Sequence, residues 1–204
     1  MTDYESVLEA AFADEKNTAI DLPKADVNEI IRASYDVDED FTYTARQLWD
    51  MEVKKAHHPD KYLSHIVRPG SLKIFHNERQ GSLEYFTRVS DQRIWTNPSK
   101  YATVIEHVCL DHDAHRAFFL GAAQTELPSG EIIRSGIEQP LFHVEHSVEG
   151  SEKCPLNVWR IVHLTDGRDV ELLKVFAKMA QSPYLREFNE VYIREDLGRR
   201  LSRK

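Results

Sequence analysis

The first third of the chain switches between helical and extended spacing of its apolar residues. Apolar side chains recur at helical intervals from Tyr4 to Phe12, which predicts an amphipathic helix followed by a polar connector up to residue 22. Over residues 27–37 the period becomes two, because apolar and polar residues alternate there. This alternation predicts a half-buried strand with Ile31, Ala33, Tyr35 and Val37 on one face.

Helix signals then return. Thr44-Ala45-Arg46-Gln47 is a capping box, in which the threonine and glutamine side chains satisfy free backbone N–H groups. It predicts a helix whose apolar side carries Ala45, Leu48, Trp49, Val53 and Ala56. His57-His58-Pro59 interrupts this helix, and a short second helix is predicted to end at Arg68-Pro69-Gly70.

The second half of the chain is dominated by strand patterns that turn residues separate. The strands are predicted at 72–77, 83–90, 101–110, 115–126, 131–137, 141–149 and 156–164. The chain then becomes helical again, with start signals at Asp166 and at Ser182-Pro183. We therefore expect one α+β domain over residues 1–204, in which residues 1–22 form an N-terminal helix and connector and residues 27–195 form the core.

Composition narrows the class of protein. The 204 residues are 41% hydrophobic and 29% charged, as in an ordinary soluble domain, and the net charge of -8 argues against nucleic-acid binding. Only two cysteines are present, and we see neither a signal peptide nor a membrane span. The expectation is a cytoplasmic protein with no membrane span, and a homodimer stays open.

Candidate chemistry comes from ionisable residues on strand faces that are otherwise apolar. Glu106, His146 and Arg160 each stand in the middle of such a face, where an unpaired charge would be costly. We interpret them as the catalytic residues of a shared pocket. His146 moves protons near neutral pH, Glu106 acts as a base or orients the imidazole, and Arg160 stabilises an enolate or binds a carboxylate.

Further polar or aromatic residues fall on the same predicted faces or beside them. We expect them to bind a small hydrophobic, oxygenated molecule, and the site requires neither a metal nor a cofactor. These substrate-binding candidates are Tyr35, His76, Tyr85 and Trp159.

Three alternatives remain open at this point. Glu106 and Arg160 could form a structural ion pair, with His146 bonded to the backbone. A register slip on any strand would exchange the two faces and with them the candidate residues. Metal sites are a third alternative, either from His107, His143 and His163 together or from the turn containing Cys109, His112 and His115. The acidic segment at residues 36–40 is rejected as a calcium loop because it lacks the required glycine and glutamate.

The order of elements, with "FTYTARQLWDM" beginning at Phe41 and "PDKYLSHIV" beginning at Pro59, resembles the START and birch-pollen-allergen superfamily, also called SRPBCC. That resemblance implies a helix-grip fold, a curved antiparallel sheet wrapped around a C-terminal helix, here with an extra N-terminal helix. Polyketide cyclase/aromatases belong to this superfamily. The alternative architecture is the cone-shaped α+β barrel of scytalone-dehydratase-like proteins, against which the helical end of the chain counts.

Three functional hypotheses follow. The first, implied by the likeness to cyclase/aromatases, is a cofactor-independent acid–base enzyme of cyclase, dehydratase or isomerase type acting on a polyketide-like molecule in an internal cavity. The second is a non-catalytic carrier or sensor of a lipid or small molecule. The third is an interaction module that uses the N-terminal amphipathic helix.

Overall fold

The structure is a computed structural model that describes residues 3–37, 41–136 and 141–204. The turn predicted at Gln139-Pro140, the last residue of the strand predicted over 131–137 and most of the acidic segment 36–40 lie outside the described residues. Within the described ranges the protein has an α+β fold, which confirms the predicted class.

Most strands join one long antiparallel sheet, which is eight-stranded in the described part of the chain. The strands are β1 Thr18–Asp21, β2 Ala25–Asp26, β3 Tyr35–Val37, β4 Lys73–Gln80, β5 Leu83–Ile94, β6 Asn97–Asp111, β7 Arg116–Gly121, β8 Gln124–Glu126, β9 Ile132–Arg134, β10 Phe142–Ser151, β11 Cys154–His163 and β12 Leu201–Arg203. The order of strands in the long sheet is β1-β11-β10-β7-β6-β5-β4, with β2 also paired to β11, while β3 pairs with β12 and β8 pairs with β9 in two small sheets.

The helices stand before and after the run of strands. They are α1 Tyr4–Ala13, α2 Val27–Ser34, α3 Ala45–His57, α4 Pro59–Tyr62, α5 Val170–Ala180 and α6 Glu187–Val191, which continues into a π-helical turn at Tyr192–Asp196. The capping box of α3 is confirmed, with the Gln47 N–H donating to Thr44 Oγ1 at 3.2 Å and the Thr44 N–H to Gln47 Oε1 at 3.0 Å. No helix in the described ranges is long and apolar enough to cross a membrane.

The prediction of a strand over residues 27–37 is wrong for most of that segment. Residues 27–34 form α2, and only Tyr35–Val37 is extended. Asp26 caps the helix by accepting a hydrogen bond from the Glu29 N–H at 2.9 Å. Val27 and Ile31, four residues apart, are both buried, which is helical spacing that the alternation further along had obscured.

Helix starts after the sheet also differ from expectation. Asp169 caps α5 in place of Asp166, and α6 begins at Glu187, beyond Ser182-Pro183. Strand β1 lies within the predicted connector, and β2 lies between that connector and the strand predicted from residue 27. Each has four residues or fewer and pairs with β11, so tertiary pairing and not local pattern makes it a strand.

Both faces of the sheet are covered. Helix α1 packs on one face, where Leu8 and Ala11 meet Cys109, Phe118 and Val162. Helices α2, α3, α5 and α6 form the larger core on the other face. The apolar side of α1 is therefore occupied by the protein's own sheet, and each strand can carry apolar residues on both faces.

The segment Leu201–Arg203 lies beside β3 and helix α6. Its strand β12 pairs with β3, and Arg203 Nε donates to the buried carboxylate of Glu190 in α6 at 2.7 Å. Tyr35 donates its hydroxyl hydrogen to the same carboxylate and accepts the Leu185 N–H at 2.9 Å. These contacts join β3, β12 and the start of α6 into one unit.

We expect Thr44→Ala to lower the free energy of unfolding by about 1 kcal/mol, because it removes one half of the capping box at the start of α3. Urea denaturation measures this loss. The control is Thr96→Ala, at an exposed turn position, which should change stability by less than about 0.5 kcal/mol. Equal losses in the two variants would contradict a specific role for the cap.

Candidate active site in a cavity beneath the C-terminal helices

Helix α3 carries a buried pair of opposite charges on its apolar side. Leu48 and Met51 are fully buried against the core, and Glu52 and Lys55 share that side of the helix. Glu52 is 0% exposed and Lys55 is 2% exposed. The two side chains form a direct ion pair. Charges this deeply buried are tolerated only when they are paired and hydrogen-bonded.

His146 on β10 meets this pair. Its Nδ1 lies 2.8 Å from Lys55 Nζ and 3.1 Å from Glu52 Oε2. The other oxygen of Glu52 accepts a hydrogen bond from Asn157 Nδ2 at 3.0 Å. Lys55 Nζ also sits 4.0 Å from the centre of the Phe188 ring, which stabilises the cation from a further side.

The pKa values of the three groups follow from burial and mutual attraction. Burial alone would raise the pKa of Glu52, but Lys55 and His146 outweigh it and lower that pKa from 4.5 to about 2. Burial lowers the pKa of Lys55 despite the attraction of Glu52. Burial and the neighbouring lysine charge lower the pKa of His146 below 6.5, so its imidazole is neutral at pH 7.

The tautomer of His146 depends on the charge of Lys55. While Lys55 is an ammonium group it can only donate, so it donates to Nδ1 and the ring hydrogen of the neutral imidazole is on Nε2. If the lysine proton moves to Nδ1, that nitrogen can donate instead to Glu52 Oε2. Both arrangements leave Nε2 as the ring nitrogen available to a ligand.

His146 lines an apolar cavity of about 330 Å³. The cavity lies between the sheet and helices α5 and α6, and its volume is at the small end for ligand pockets. The side chains of His65 and Glu187 line it and are 52% and 42% exposed, so they mark its opening to solvent. The apolar wall is formed by Leu63, Ile66, Trp95, Val104, Phe119, Leu141, Phe142, Val144, Trp159, Ile161, Phe176, Met179, Leu185 and Phe188.

A second ion pair stands on the cavity wall. Arg88 Nε donates to Glu106 Oε2 at 2.7 Å, and the Arg88 guanidinium stacks 4.6 Å from the centre of the Phe119 ring. Arg88 also donates to the carbonyl of Ala56 at 2.8 Å, near the end of α3. Gln92 Nε2 lies 3.4 Å from the same oxygen of Glu106. The carboxylate of Glu106 is thereby held in place at the cavity surface.

Of the three residues predicted to be catalytic, Glu106 and His146 share the cavity and Arg160 does not. Placing Arg160 in the same hollow is wrong. Its guanidinium lies on the opposite face of the sheet, where it bonds to Glu9 of α1 at 2.6 Å and to Glu145 at 3.1 Å. Because α1 covers that face, the apolar neighbour Val162 is buried there too.

The four predicted substrate-binding residues divide in a similar way. Trp159 lines the cavity, on the face of β11 that also carries Ile161. The other three do not line it, which corrects the prediction. Tyr35 bonds to Glu190 and Leu185. His76 is exposed, with a φ of 57°, within an irregularity of the β4–β5 pairing, and Tyr85 packs on Tyr4 of α1.

The open alternatives are now resolved by geometry. The prediction of a Glu106–Arg160 pair is wrong, because Glu106 pairs with Arg88. The prediction that His146 bonds to the backbone is also wrong, because its ring contacts other side chains. The second alternative, in which the opposite face of a strand adjoins the cavity, is correct for β5 and β11.

Within the described residues, no group of three or more His, Cys, Asp or Glu side chains is placed to hold a metal. On the sheet, Leu120 pairs with both His107 and His143 and stands between them.

Sequence reasoning missed the buried pair Glu52 and Lys55, and it also missed Arg88, Arg186 and Glu187, three further charged residues of the cavity wall. A signal was present for the first two, because they stand among Leu48, Met51 and Ala56 on one side of α3. Arg88 stands between Phe86 and Ser90 on the face of β5 opposite to the chosen one. Arg186 follows a proline turn, and no periodic pattern identifies it.

No protein-family model matches this chain, and a search of the curated proteins finds no significant match. The site is therefore interpreted from its own residues and their geometry.

We expect Lys55→Met to lower the free energy of unfolding by about 3–5 kcal/mol, because the Glu52 carboxylate would remain buried without its cation. The double variant Glu52→Leu/Lys55→Met should recover most of that loss. Lys54→Met is the matched control, since the neighbouring Lys54 is 40% exposed and its pairs with Asp50 and Asp196 contribute less than about 1 kcal/mol. Urea denaturation measures all three, and a double variant as unstable as Lys55→Met would contradict the role of charge.

The low pKa of Glu52 predicts a pH-dependent contribution to stability. Between about pH 4.5 and pH 2 the unfolded chain protonates Glu52 while the folded protein keeps it ionised. The stabilisation is complete above pH 4.5 and is lost as the pH falls toward 2. The difference in unfolding free energy between wild type and Glu52→Gln should therefore narrow across this window in urea titrations. A difference that is constant from pH 5 to pH 2 would contradict the lowered pKa.

Proposed function

We propose that the protein binds a small, mainly apolar, oxygenated molecule in this cavity and acts on it by acid–base chemistry without a cofactor. The reaction class is cyclisation, dehydration or isomerisation. One observation carries the proposal: His146, in contact with the buried Glu52–Lys55 pair, forms part of the wall of an apolar cavity that opens to solvent.

The arrangement supports a proton relay. His146 Nε2–H donates to an oxygen atom of the ligand while Lys55 passes a proton to Nδ1, so the imidazole stays neutral throughout. Glu52 then accepts the hydrogen bond from Nδ1, as the contact of 3.1 Å allows. The reverse sequence removes a proton from the ligand. Such relays lower reaction barriers because the donor and acceptor are already in position.

Glu106 supplies the complementary carboxylate on the wall. Arg88 and Gln92 orient it, and its side chain is 15% exposed. In this proposal Glu106 takes a proton from carbon while His146 stabilises the oxygen on which negative charge develops. Arg160 has no part in this chemistry.

We further propose a helix-grip arrangement for the fold, as in cyclase/aromatase-like proteins. The position of the cavity between an antiparallel sheet and the helices that follow it supports this assignment. The usual single long helix is replaced here by α5 and α6, which are separated around Ser182-Pro183.

A second candidate function is a non-catalytic carrier. It is favoured by the wall of the cavity, most of which is apolar. In a carrier the Glu52–Lys55–His146 contacts would hold α3 on the sheet and would transfer no proton.

We expect the wild-type protein to accelerate deuterium uptake at the methyl group of 2-acetonaphthone, an apolar aromatic ketone, above the rate in buffer. His146→Gln should lower this acceleration about 100-fold or more, because the relay is lost. The wild-type rate should decline with falling pH through a value below 6.5, since protonated His146 cannot accept a proton from Lys55. NMR spectroscopy of the methyl signal measures the exchange.

The matched control is His143→Gln. His143 is a buried histidine of the same strand, β10, but it lies on the opposite face of the sheet, against Leu120 and Val162. It should keep the wild-type rate. Equal losses in the two variants, or a wild-type rate no faster than buffer, would contradict the acid–base proposal. Native mass spectra with the ketone bound but unexchanged would then favour the carrier.

A further inference from the structure

With one exception, each acidic or basic side chain around the cavity contacts a side chain of the opposite kind. Lys55 is paired with Glu52, Arg88 is paired with Glu106, and Glu187 lies 2.5 Å from His65. Each of these contacts joins a basic side chain to an acidic one. The remaining charged side chain of the wall is Arg186, which precedes α6.

Arg186 has no carboxylate partner in the described ranges 3–37, 41–136 and 141–204. Its guanidinium donates to the carbonyl of Met179 at 2.6 Å and lies 5.1 Å from the centre of the Trp159 ring. Partial burial lowers its pKa, and no attraction to an anion offsets this effect. A guanidinium nevertheless stays protonated in proteins, so Arg186 gives the cavity wall a positive charge that no carboxylate contacts within the described residues.

Trp159 adds an unused donor beside Arg186. The indole Nε1–H is buried and has no hydrogen-bond acceptor within the described part of the protein. Buried indole N–H groups are normally satisfied, and an orphaned donor is expensive. The indole N–H of Trp159 thus lacks an acceptor, and the neighbouring guanidinium of Arg186 has further N–H donors besides the one that bonds to Met179.

We propose that Arg186, with the indole N–H of Trp159, binds a carboxylate group of the ligand, so that the ligand is a small apolar monocarboxylate. This inference rests on the proposed function, because it concerns the same cavity. The planar fork of a guanidinium matches the two oxygens of a carboxylate. A single guanidinium without a carboxylate partner can balance one negative charge, whereas a phosphate monoester carries up to two.

The proposed binding mode also orients the ligand toward His146. The Trp159 ring lies close to both groups. The centre of the ring is 5.1 Å from Arg186 Cζ and 5.8 Å from the centre of the His146 imidazole. A carboxylate held at Arg186 therefore directs the apolar body across Trp159 and Phe188 toward Nε2 of His146. The carboxylate anchors the molecule and the relay acts on a second oxygen further along it.

Two probes of nearly the same shape test the inference: 2-naphthoate, which carries the charge, and 2-acetonaphthone, which does not. Isothermal titration measures their affinities for wild type, Arg186→Met and Arg160→Met. We expect wild type to bind the carboxylate more tightly than the ketone. Arg186→Met should weaken carboxylate binding about 10- to 100-fold and change ketone binding less than about twofold. Arg160→Met, on the other face of the sheet, should change neither.

The outcomes separate the two proposals. Ketone binding with no preference for the carboxylate, or an Arg186→Met variant that binds the carboxylate as wild type does, would overturn the assignment of Arg186 and leave the proposed function standing. Failure of wild type to bind either probe would overturn both. Thermal unfolding of each variant establishes that it is folded, and Arg186→Lys, which keeps the charge, should retain part of the carboxylate affinity.

Discussion

The burial of Glu52 and Lys55 is the constraint on which the site depends. Two opposite charges on the apolar side of α3 are stable only while they remain in contact and while Asn157, His146 and the Phe188 ring surround them. Helix α3, strands β10 and β11 and helix α6 must therefore keep their relative positions. The same requirement places a neutral imidazole at the edge of the cavity. Structural stability and the proposed chemistry thus come from one cluster of side chains.

The second organising feature is a sheet covered on both faces. On one face Arg160, Arg116 and Glu145 tie the sheet to α1 through Glu5 and Glu9. On the other face Arg88, Glu106 and His146 adjoin the cavity. Polar residues of the same strand therefore have different roles, depending on which face of the sheet they lie on. Stability is the role of the first set, and ligand contact is the role we propose for the second.

Sequence patterns predicted the α+β class, the long strands and the capped helix α3, because these depend on local spacing and on one capping motif. They failed where tertiary pairing decides. Residues 27–34 carry both helical and alternating patterns, and β1 becomes a strand only by pairing with β11. For the site, the patterns identified Glu106, His146 and Trp159 but chose the wrong side of β11 at Arg160. Alternation reveals which residues share a face, but with apolar cover on both sides it cannot reveal which face adjoins the cavity.

The pairing of Leu201–Arg203 with β3 has a practical consequence for work on this protein. Arg203 holds the Glu190 carboxylate, and the Tyr35 hydroxyl that shares it also fixes the backbone at Leu185, one residue before Arg186. Deletion of Leu201–Arg203 would therefore loosen the segment of backbone that carries the guanidinium of Arg186.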